Sequence, residues 1–458
     1  MKNEMRNKIE NEKENENENE KEKDLPGKDQ AGKELHGKSL RDFYLFWSTQ
    51  SLSQLGSSIT AFALTLWLYE KTGSALSTSA LTICSYAPYV LMSIFAGALT
   101  DRLNKKRTML VCDSLAAVSS LSVFVLYRLE SLAVWHLYLL NVLSGLMNTV
   151  QQPASEVALT LIVPKGFYQK MSALQTLSRS LVSVLNPLIA GALYATFGLD
   201  LVIILDFVTF ALAFTVLAGW IRIPVTSLPD RESTLDLVRE GLGFLKRTPM
   251  VLTLILFMSG VNLISSAFNA VLPGYVIPNP AGGTRILGIV TSTAGIAMIF
   301  GSLLSSVMPR PRDRVRAVYL TMLFSLGTEN FLLAFARSPV IWCIAQGVGW
   351  ILVPVMSANL EVILRNTIPV HLQGRVYACR NTLQFFTIPI GLFLGGFLLD
   401  RVCEPFMQHN QSSFFLTLLF GSGKGSGAAL MMFLLGMAGT CLCLVIGARL
   451  KSYHYSDD

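Results

Sequence analysis

Charged residues are scarce in this chain. Asp, Glu, Lys and Arg make up 15% of its 458 residues, whereas an ordinary globular domain has about 25%. Together with 52% hydrophobic residues, this composition excludes an ordinary soluble protein. Many of the charges lie in residues 1–38, where Lys, Glu and Asn alternate with almost no large apolar side chain. We expect that segment to be a disordered cytoplasmic tail, because it cannot bury a hydrophobic core.

Patterns that would bind a metal or carry out catalysis are also missing. The five His residues are scattered without metal-ligand spacing. The seven Cys residues include no C-x-x-C pair, so we expect packing residues and no disulfide framework. No G-x-S-x-G elbow is present, and the turn at Lys424 lacks the first glycine and the final Ser or Thr of a P-loop. We therefore expect no enzyme activity, no cofactor and no metal.

Long apolar runs, in contrast, fill most of the chain. About 20 consecutive, mostly apolar residues are enough to cross a bilayer as an α-helix. Twelve segments meet this requirement, and the predicted fold class is an all-α membrane protein with twelve transmembrane helices. In chain order, these spans 1 to 12 cover residues 43–69, 74–100, 108–127, 132–162, 170–196, 200–220, 249–276, 286–308, 315–336, 339–366, 373–399 and 427–448.

Lys and Arg are distributed unequally between the two sides of the membrane. One side holds nineteen of them and the other holds six. An even number of spans places both termini on the same side of the membrane. Because basic loops are retained in the cytoplasm, that side is predicted to be the cytoplasmic one. The chain has a net charge of +7. We expect its basic loop residues to face the anionic lipids of the cytoplasmic leaflet and not to bind nucleic acid. The expected protein is a monomer in the lipid bilayer of the plasma membrane, which is the inner membrane in a bacterium.

The two halves of the chain carry similar landmarks. Glu156 and Glu361 each precede a proline by eight residues, and the next span of each half has an Arg followed by a Pro. Matching positions are 201 to 205 residues apart, which indicates two six-helix pseudo-repeats about an axis normal to the membrane. The predicted organisation is a disordered tail 1–38, an N-terminal six-helix half 39–221, a cytoplasmic linker with an amphipathic helix 222–248, a C-terminal six-helix half 249–450 and a tail 451–458.

The loop between spans 2 and 3 holds the most specific motif. It reads Gly97-Ala-Leu-Thr-Asp101-Arg102-Leu-Asn104-Lys-Lys-Arg107 and is similar to the G-x-L-x-D-R-x-G-R-[RK] signature of the major facilitator superfamily, with Asn104 in place of the second glycine. Gly97 would let a neighbouring helix approach. Asp101, at a helix C-terminus, needs an outside partner, either a cation or the N-terminus of a facing helix. The motif predicts a gate contact, and a positive cluster that only sets orientation is the alternative.

Charged residues inside the apolar spans are expected to be paired, because each would cost roughly 2.5–3.5 kcal/mol at the bilayer centre. Glu156 and Arg179 lie near the same ends of spans 4 and 5. Glu361 and Arg380 repeat this arrangement in spans 10 and 11. We predict two cytoplasmic ion pairs that share Asp113 and act either as gates or as static pairs within each half. With the motif residues, the predicted cytoplasmic gate comprises Gly97, Asp101, Arg102, Arg107, Asp113, Glu156, Arg179, Glu361, Arg375 and Arg380.

Asp206 lies six residues into span 6 from the outer side and has no cation near it in sequence. Burial in the membrane favours the protonated form of a carboxyl group, which a proton-coupling residue needs. We interpret Asp206 either as the proton-coupling residue or as a water-accessible Asp at the outer end with no coupling role.

Polar residues in spans 1, 4, 7 and 10 predict a central substrate cavity, because helices at these positions line the cavity in the resembled superfamily. Interhelical hydrogen bonds are the alternative for each of them. The candidates are Gln50, Gln54, Asn148, Gln151, Asn262, Asn269, Gln346 and Trp350.

Two further motifs narrow the resemblance. Pro187-x-x-x-Gly191 in span 5 is similar to the G-P-x-x-x-G part of the exporter signature, with Asn186 in place of the first glycine. Pro369-x-x-x-Gln-Gly-Arg375-Val, which leads into span 11, looks like the P-x-x-x-x-G-R-V segment of the macrolide-efflux and siderophore-exporter-like branch.

The resemblance implies a secondary active transporter that exports amphipathic small molecules such as drugs, macrolides, siderophores or peptide-like metabolites. It implies alternating access of the two halves, and the simplest coupling ion is the proton. An importer of a small solute with the same fold is the alternative. A third hypothesis is a receptor or an intramembrane enzyme. A receptor would leave the paired gates without a purpose, and no catalytic arrangement of residues supports an enzyme.

Overall fold

The structure is a computed structural model that describes residues 28–102, 104–163, 167–223, 234–309 and 311–450. Within these ranges the chain is helical and forms no β-strand. Nine of the helices in these ranges are long and apolar enough to cross a membrane.

Spans 5 and 6 form one helical segment with a turn inside it. Tyr168–Gly219 contains 52 residues and would be about 78 Å long if it were straight, whereas the hydrocarbon layer is ~30 Å thick. Gly198 interrupts the segment with φ 70°, a backbone conformation that glycine adopts without steric cost. The chain turns back there, because Asp200 pairs with Arg128 at one end of span 3 and the Ile221 carbonyl bonds Lys106 at the other.

Spans 1 and 4 are long enough to cross but are less apolar than the other spans. They form the helices Lys28–Thr72 and Val134–Ile162, and polar residues such as Gln50, Gln54 and Gln151 lower their hydropathy. With these two helices and the two crossings of the bent segment, the predicted twelve-helix fold is confirmed.

The observed helices follow the predicted spans closely. In the N-terminal half, span 1 is Lys28–Thr72, span 2 is Ala75–Arg102, span 3 is Lys105–Arg128, span 4 is Val134–Ile162, and spans 5 and 6 are Tyr168–Gly219. In the C-terminal half, span 7 is Pro249–Val276, span 8 is Thr284–Val307, span 9 is Arg314–Phe335, span 10 is Pro339–Ile351 with Val353–Thr367, span 11 is Val370–Phe385 with Thr387–Leu398, and span 12 is Ser426–Leu450. Span 11 continues through a π-helical turn, Leu399–Cys403, into the short helix Glu404–His409, and a second short helix, Phe414–Phe420, precedes span 12.

The start of span 1 differs from the prediction. The helix begins at Lys28, so residues 28–38, which the sequence assigned to the disordered tail, are helical. Adding these turns to an existing helix avoids the cost of nucleation, which outweighs the low helix propensity of Gly32 and Gly37. Residues 1–27 and 451–458 lie outside the described residues.

Spans 2 and 11 pack together, as do spans 5 and 8, and these contacts join the two halves. We call the side on which span 1 begins and span 12 ends the terminal side, and the opposite side the distal side. The buried apolar residues of the C-terminal half form one continuous core, which also includes Leu66, Tyr69 and Ala75 of spans 1 and 2. Those of the N-terminal half form two separate clusters, one around Ile59 and Leu199 and one around Phe46 and Met109.

The linker between the halves contains the helix Thr234–Arg247. Gly241 lies against the backbone of Arg375 at the start of span 11, and Glu240 forms a salt bridge with the same arginine. Leu245 is buried in the core of the C-terminal half. The linker helix is therefore packed on the C-terminal half.

Candidate functional site

Asp113 forms a polar centre in the N-terminal half. It lies on span 3, is 8% exposed, and accepts a hydrogen bond from the side chain of Gln151 on span 4. The side-chain amide of Gln50, on span 1, lies beside the same carboxylate. Asp113 Oδ2 and Gln50 Nε2 nevertheless lack a well-formed hydrogen bond to any described residue. Three spans thus direct polar groups to one place where hydrogen-bonding capacity is left over.

Asp206 lies in a second polar layer of the same half and is 4% exposed. Its carboxylate accepts hydrogen bonds from Ser57 on span 1 at 2.9 Å and from Ser120 on span 3 at 3.0 Å. Gly56 makes room for it, since a Cβ added there would lie 3.3 Å from the Asp206 Cα. Both carboxylate oxygens therefore have hydroxyl partners, and the side chain is buried between helices.

Glu329 is the buried carboxylate of the C-terminal half. It lies on span 9, is 5% exposed, and accepts a hydrogen bond from the indole Nε1 of Trp350 at 3.0 Å. Trp350, a predicted cavity residue, therefore contacts span 9. Gln346, one turn earlier on span 10, is 2% exposed, and its Nε2 has no partner among the described residues.

The pair Glu156–Arg179 joins spans 4 and 5 on the terminal side. Arg179 Nη2 lies 3.4 Å from Glu156 Oε1, and the two side chains are 66% and 54% exposed. Asp113, predicted as a shared partner, is instead bonded to Gln151, so within the described residues this pair is a single exposed contact.

The matching pair Glu361–Arg380 belongs to a network. Arg380 Nη1 lies 3.2 Å from Glu361 Oε2. The other carboxylate oxygen accepts hydrogen bonds from Arg365 Nε at 3.0 Å and from the Tyr377 hydroxyl at 3.2 Å. Arg380 Nε also donates to Gln384 Oε1 at 3.3 Å. The structure thus brings both predicted pairs together, in different surroundings.

Of the remaining predicted cavity residues, one forms a contact between helices and three have exposed side chains. The Asn262 amide on span 7 donates to the Gln384 carbonyl at 3.1 Å, which is the interhelical contact named as the alternative. That carbonyl lies near the break in span 11 after Phe385, where Pro389 removes a backbone donor. Gln54, Asn148 and Asn269 have exposed side chains.

The loop between spans 2 and 3 is described only in part. The side chains of Gly97, Asp101 and Arg102 lie outside the described residues. Asn104 caps span 3, because its Oδ1 accepts a hydrogen bond from the backbone N–H of Arg107 at 3.1 Å. The Arg107 side chain is exposed.

Small residues bring spans 5 and 8 together across the boundary between the halves. A Cβ added at Gly191 would lie 3.2 Å from the Cα of Gly288, and one added at Gly288 would clash with the Pro187 carbonyl. One turn nearer the terminal side, Ser292 Oγ donates to the Val184 carbonyl at 2.9 Å. The Pro187-x-x-x-Gly191 motif is thus a contact site between the halves.

Residues 46–392, well over half of the chain, match the family model of the Major Facilitator Superfamily. The chain belongs to the major facilitator superfamily. The resemblance that the loop motif indicated is therefore confirmed, and the protein is a multi-pass membrane protein of a family of transporters.

Several curated superfamily members resemble the chain over most of their length. Macrolide efflux protein A of Streptococcus pyogenes is 25% identical over 372 residues, which cover 79% of this chain and 90% of the relative. Multidrug efflux pump Tap of Mycolicibacterium fortuitum is 28% identical over 362 residues, covering 75% and 86%. The Staphyloferrin A transporter of Staphylococcus aureus (strain NCTC 8325 / PS 47) is 20% identical over 364 residues, covering 78% and 88%. The predicted resemblance to the macrolide-efflux and siderophore-exporter-like branch is confirmed by these relatives, two of which are named as efflux proteins.

Solved structures of superfamily transporters share the fold. The nucleoside transporter NupG superposes with a TM-score of 0.62 at 10% identity, covering 89% of this chain and 99% of that structure. A bacterial homologue of the human lysosomal transporter Spinster, in an inward-facing and unoccupied conformation, superposes with a TM-score of 0.63 at 12% identity, covering 92% and 99%. These likenesses support the fold alone.

The sequence did not point to the residues that form hydrogen bonds with the predicted charged side chains. Ser57 and Ser120 were hidden among many helix serines, and Tyr377 and Gln384 lie one turn before and after Arg380. An i±3 and i±4 search around each buried charge would have found the last two. Asp400 was also missed.

Proposed function

We propose that the chain is a secondary active exporter of amphipathic small molecules in the bacterial plasma membrane. The observation that carries this proposal is the alignment with proteins named for macrolide and multidrug efflux, over 79% and 75% of the chain. The excess of Lys and Arg in the terminal-side loops favours cytoplasmic termini, so export would run from the terminal side to the distal side.

Alternating access fits the way the halves meet. The joint at spans 5 and 8 depends on small residues such as Gly191 and Gly288. A joint of this kind can rock with little repacking, because no large side chains interlock there, and most large buried side chains apart from Leu66 and Tyr69 pack within their own half.

An amphipathic substrate fits the uncharged polar groups of the N-terminal half. Gln50 and Gln151 surround Asp113, while Gln54 and Asn148 are exposed on the same spans. Amides can donate to and accept from the hydroxyl and carbonyl groups of a mainly apolar molecule without requiring a charge on it.

Coupling to protons requires a carboxyl group that can gain and lose a proton during the cycle. Within the described residues no salt bridge reaches Asp113 or Asp206. One oxygen of Asp113 lacks a well-formed hydrogen bond to any described residue, although the Gln50 amide lies beside the carboxylate, whereas both oxygens of Asp206 are held by serine hydroxyls. This geometry favours Asp113 as the coupling residue, and the predicted candidate Asp206 is the second choice.

Accumulation of a radiolabelled macrolide in intact cells tests the direction of transport. Expression of the chain should lower the steady-state accumulation several-fold relative to control cells that lack the chain, and a protonophore should remove the difference. Higher accumulation than the control would indicate an importer. Equal accumulation with macrolides and with other amphipathic drugs would contradict the proposal.

A further inference from the structure

Span 11 ends with a second copy of the motif that ends span 2. Span 2 ends in Gly97-Ala-Leu-Thr-Asp101-Arg102 and span 11 ends in Gly396-Phe-Leu-Leu-Asp400-Arg401, so both read G-x-L-x-D-R. Asp101 and Asp400 are 299 positions apart, so the 201 to 205 residue offset between the halves does not explain the second copy. Because spans 2 and 11 pack together and run in opposite directions, the second copy lies on the distal side.

The Asp400 carboxylate caps the first turn of span 2. Oδ2 accepts hydrogen bonds from Ser74 Oγ at 2.6 Å and from the backbone N–H of Leu76 at 2.8 Å. Oδ1 accepts one from the backbone N–H of Ala75 at 3.1 Å. A carboxylate at a helix N-terminus satisfies donors that have no partner within the helix and interacts favourably with the helix dipole. The contact joins the two halves, because Asp400 belongs to one and span 2 to the other.

Gly396 makes that contact sterically accessible. A Cβ added at this position would lie 2.7 Å from the Cα of Leu76 and 2.8 Å from Ser79 Oγ. Glycine therefore lets the backbones of spans 2 and 11 approach one turn before Asp400, and the carboxylate then reaches the exposed N–H groups.

We infer that Gly396 and Asp400 form a clasp that closes the transport pathway on the distal side and opens when substrate is released there. The inference rests on the proposed alternating access. When the halves part on the distal side, the first turn of span 2 leaves the carboxylate and its donors bond to water. Because these hydrogen bonds are exchanged for bonds to water, each contributes only modestly, so the clasp favours closure without locking it. Asp400 is in this sense a positioning residue for the two halves.

Glu404 provides a matched control one turn further on. Its carboxylate accepts hydrogen bonds from the backbone N–H groups of Gly425 at 3.2 Å and Gly427 at 3.0 Å. It therefore caps span 12, which belongs to the same half. Loss of this cap should affect folding of the C-terminal half and leave the distance between the halves unchanged.

Spin labels on opposite halves test the clasp without measuring transport. Bioorthogonal labels at Ser131 and Ser412, both exposed in distal loops, would report the distance between the halves by pulsed electron resonance in lipid nanodiscs. Asp400→Ala should raise the ratio of long to short distances about tenfold, and Gly396→Ala should shift it in the same direction. Asp400→Asn should shift the ratio less than Asp400→Ala, since the one amide oxygen can still accept from Ser74 and Leu76, while the NH2 group cannot accept from the Ala75 N–H. Glu404→Ala should leave the ratio unchanged.

The outcomes separate the clasp from the exporter proposal. An unchanged ratio in folded Asp400→Ala and Gly396→Ala variants would overturn the clasp, as would an equal shift in Glu404→Ala. If Asp400→Ala does not fold, Ser74→Ala, which removes one of the three donors, should still give a smaller shift, and its absence would count against the clasp. A clear distance shift in a protein that exports none of the tested compounds would support the clasp and contradict the proposed function.

Discussion

The two halves place an ion pair at matching positions on the terminal side, but only one half surrounds the pair with further partners. Glu156 and Arg179 make one contact at 3.4 Å and are 54% and 66% exposed. Glu361 and Arg380 are 35% and 20% exposed, and three more side chains bond to them. We call these the N-terminal pair and the C-terminal pair.

The sequence explains why the two pairs differ. The positions that match the three extra partners of the C-terminal pair carry short hydroxyl side chains in the N-terminal half, which do not extend far enough to join the pair. Arg365 corresponds to Thr160, Tyr377 to Thr176 and Gln384 to Ser183. An exposed pair contributes about 0–1 kcal/mol, whereas a partly buried network holds its members in fixed geometry. We therefore expect the C-terminal pair to control the terminal side.

The largest effect is expected from Glu361→Gln. The amide keeps the size of the side chain but removes the negative charge that Arg380 and Arg365 contact, so charge-assisted hydrogen bonds worth about 1.5–3 kcal/mol each are weakened. The initial rate of macrolide efflux should fall at least tenfold and the thermal midpoint in detergent should fall by several degrees. A rate within twofold of the wild type would show that the network has no part in the cycle.

Tyr377→Phe removes one hydroxyl from the C-terminal network and should have a smaller effect. The lost hydrogen bond to Glu361, 3.2 Å long, is worth about 1 kcal/mol, so we expect a two- to fivefold lower efflux rate. Phe414→Leu, at an exposed distal aromatic residue, serves as the control and should leave the rate unchanged. Equal efflux rates in the two variants would show that the Tyr377 hydroxyl does not contribute to the function of the network.

Thr160→Arg would copy one partner of the C-terminal pair into the N-terminal half. Thr160 is exposed and lies four residues after Glu156, so the new arginine can form an i, i+4 pair worth about 0.2–0.5 kcal/mol. The thermal midpoint should rise slightly at low salt, and the gain should disappear at high salt. A lower thermal midpoint at low salt would contradict the claim that Thr160 occupies the position that matches Arg365.

The smallest effect is expected from Glu156→Gln. Since both members of the N-terminal pair are more than half exposed, water replaces the lost contact and the change in stability should be about 0–1 kcal/mol. Efflux should stay within twofold of the wild type. A loss as large as that of Glu361→Gln would abolish the distinction between the two pairs.

Much of the fold could be predicted because apolar length and the duplicated Glu, Arg and Pro positions are local properties of the sequence. The turn at Gly198 was also implied by two apolar runs separated by a few residues. The helical start of span 1 was not, since residues 28–38 have the same polar composition as the tail before them, and helix propagation from the membrane span decides their structure.

The candidate site was predictable as a set of residues but not as a set of contacts. Asp113 and Gln151 were both singled out, yet their hydrogen bond depends on how spans 3 and 4 are rotated against each other. Asn262 was expected in the cavity, and it bonds a backbone carbonyl beside the break in span 11 instead. For Asp400, in contrast, the sequence itself marks the contact, because the G-x-L-x-D-R motif occurs a second time there. The second copy is easily overlooked, since it does not follow the 201 to 205 residue offset between the halves.

Transport by the purified protein tests the central claim most directly. Proteoliposomes would contain the chain and a radiolabelled macrolide outside, with a pH gradient that is acidic inside, so that molecules inserted with their termini facing outward can exchange internal protons for external substrate. Proton-coupled export predicts uptake that a protonophore abolishes and that Asp113→Asn reduces at least tenfold, with Glu156→Gln close to the wild type. Uptake that is the same with and without the gradient, or the same in Asp113→Asn, would contradict the account.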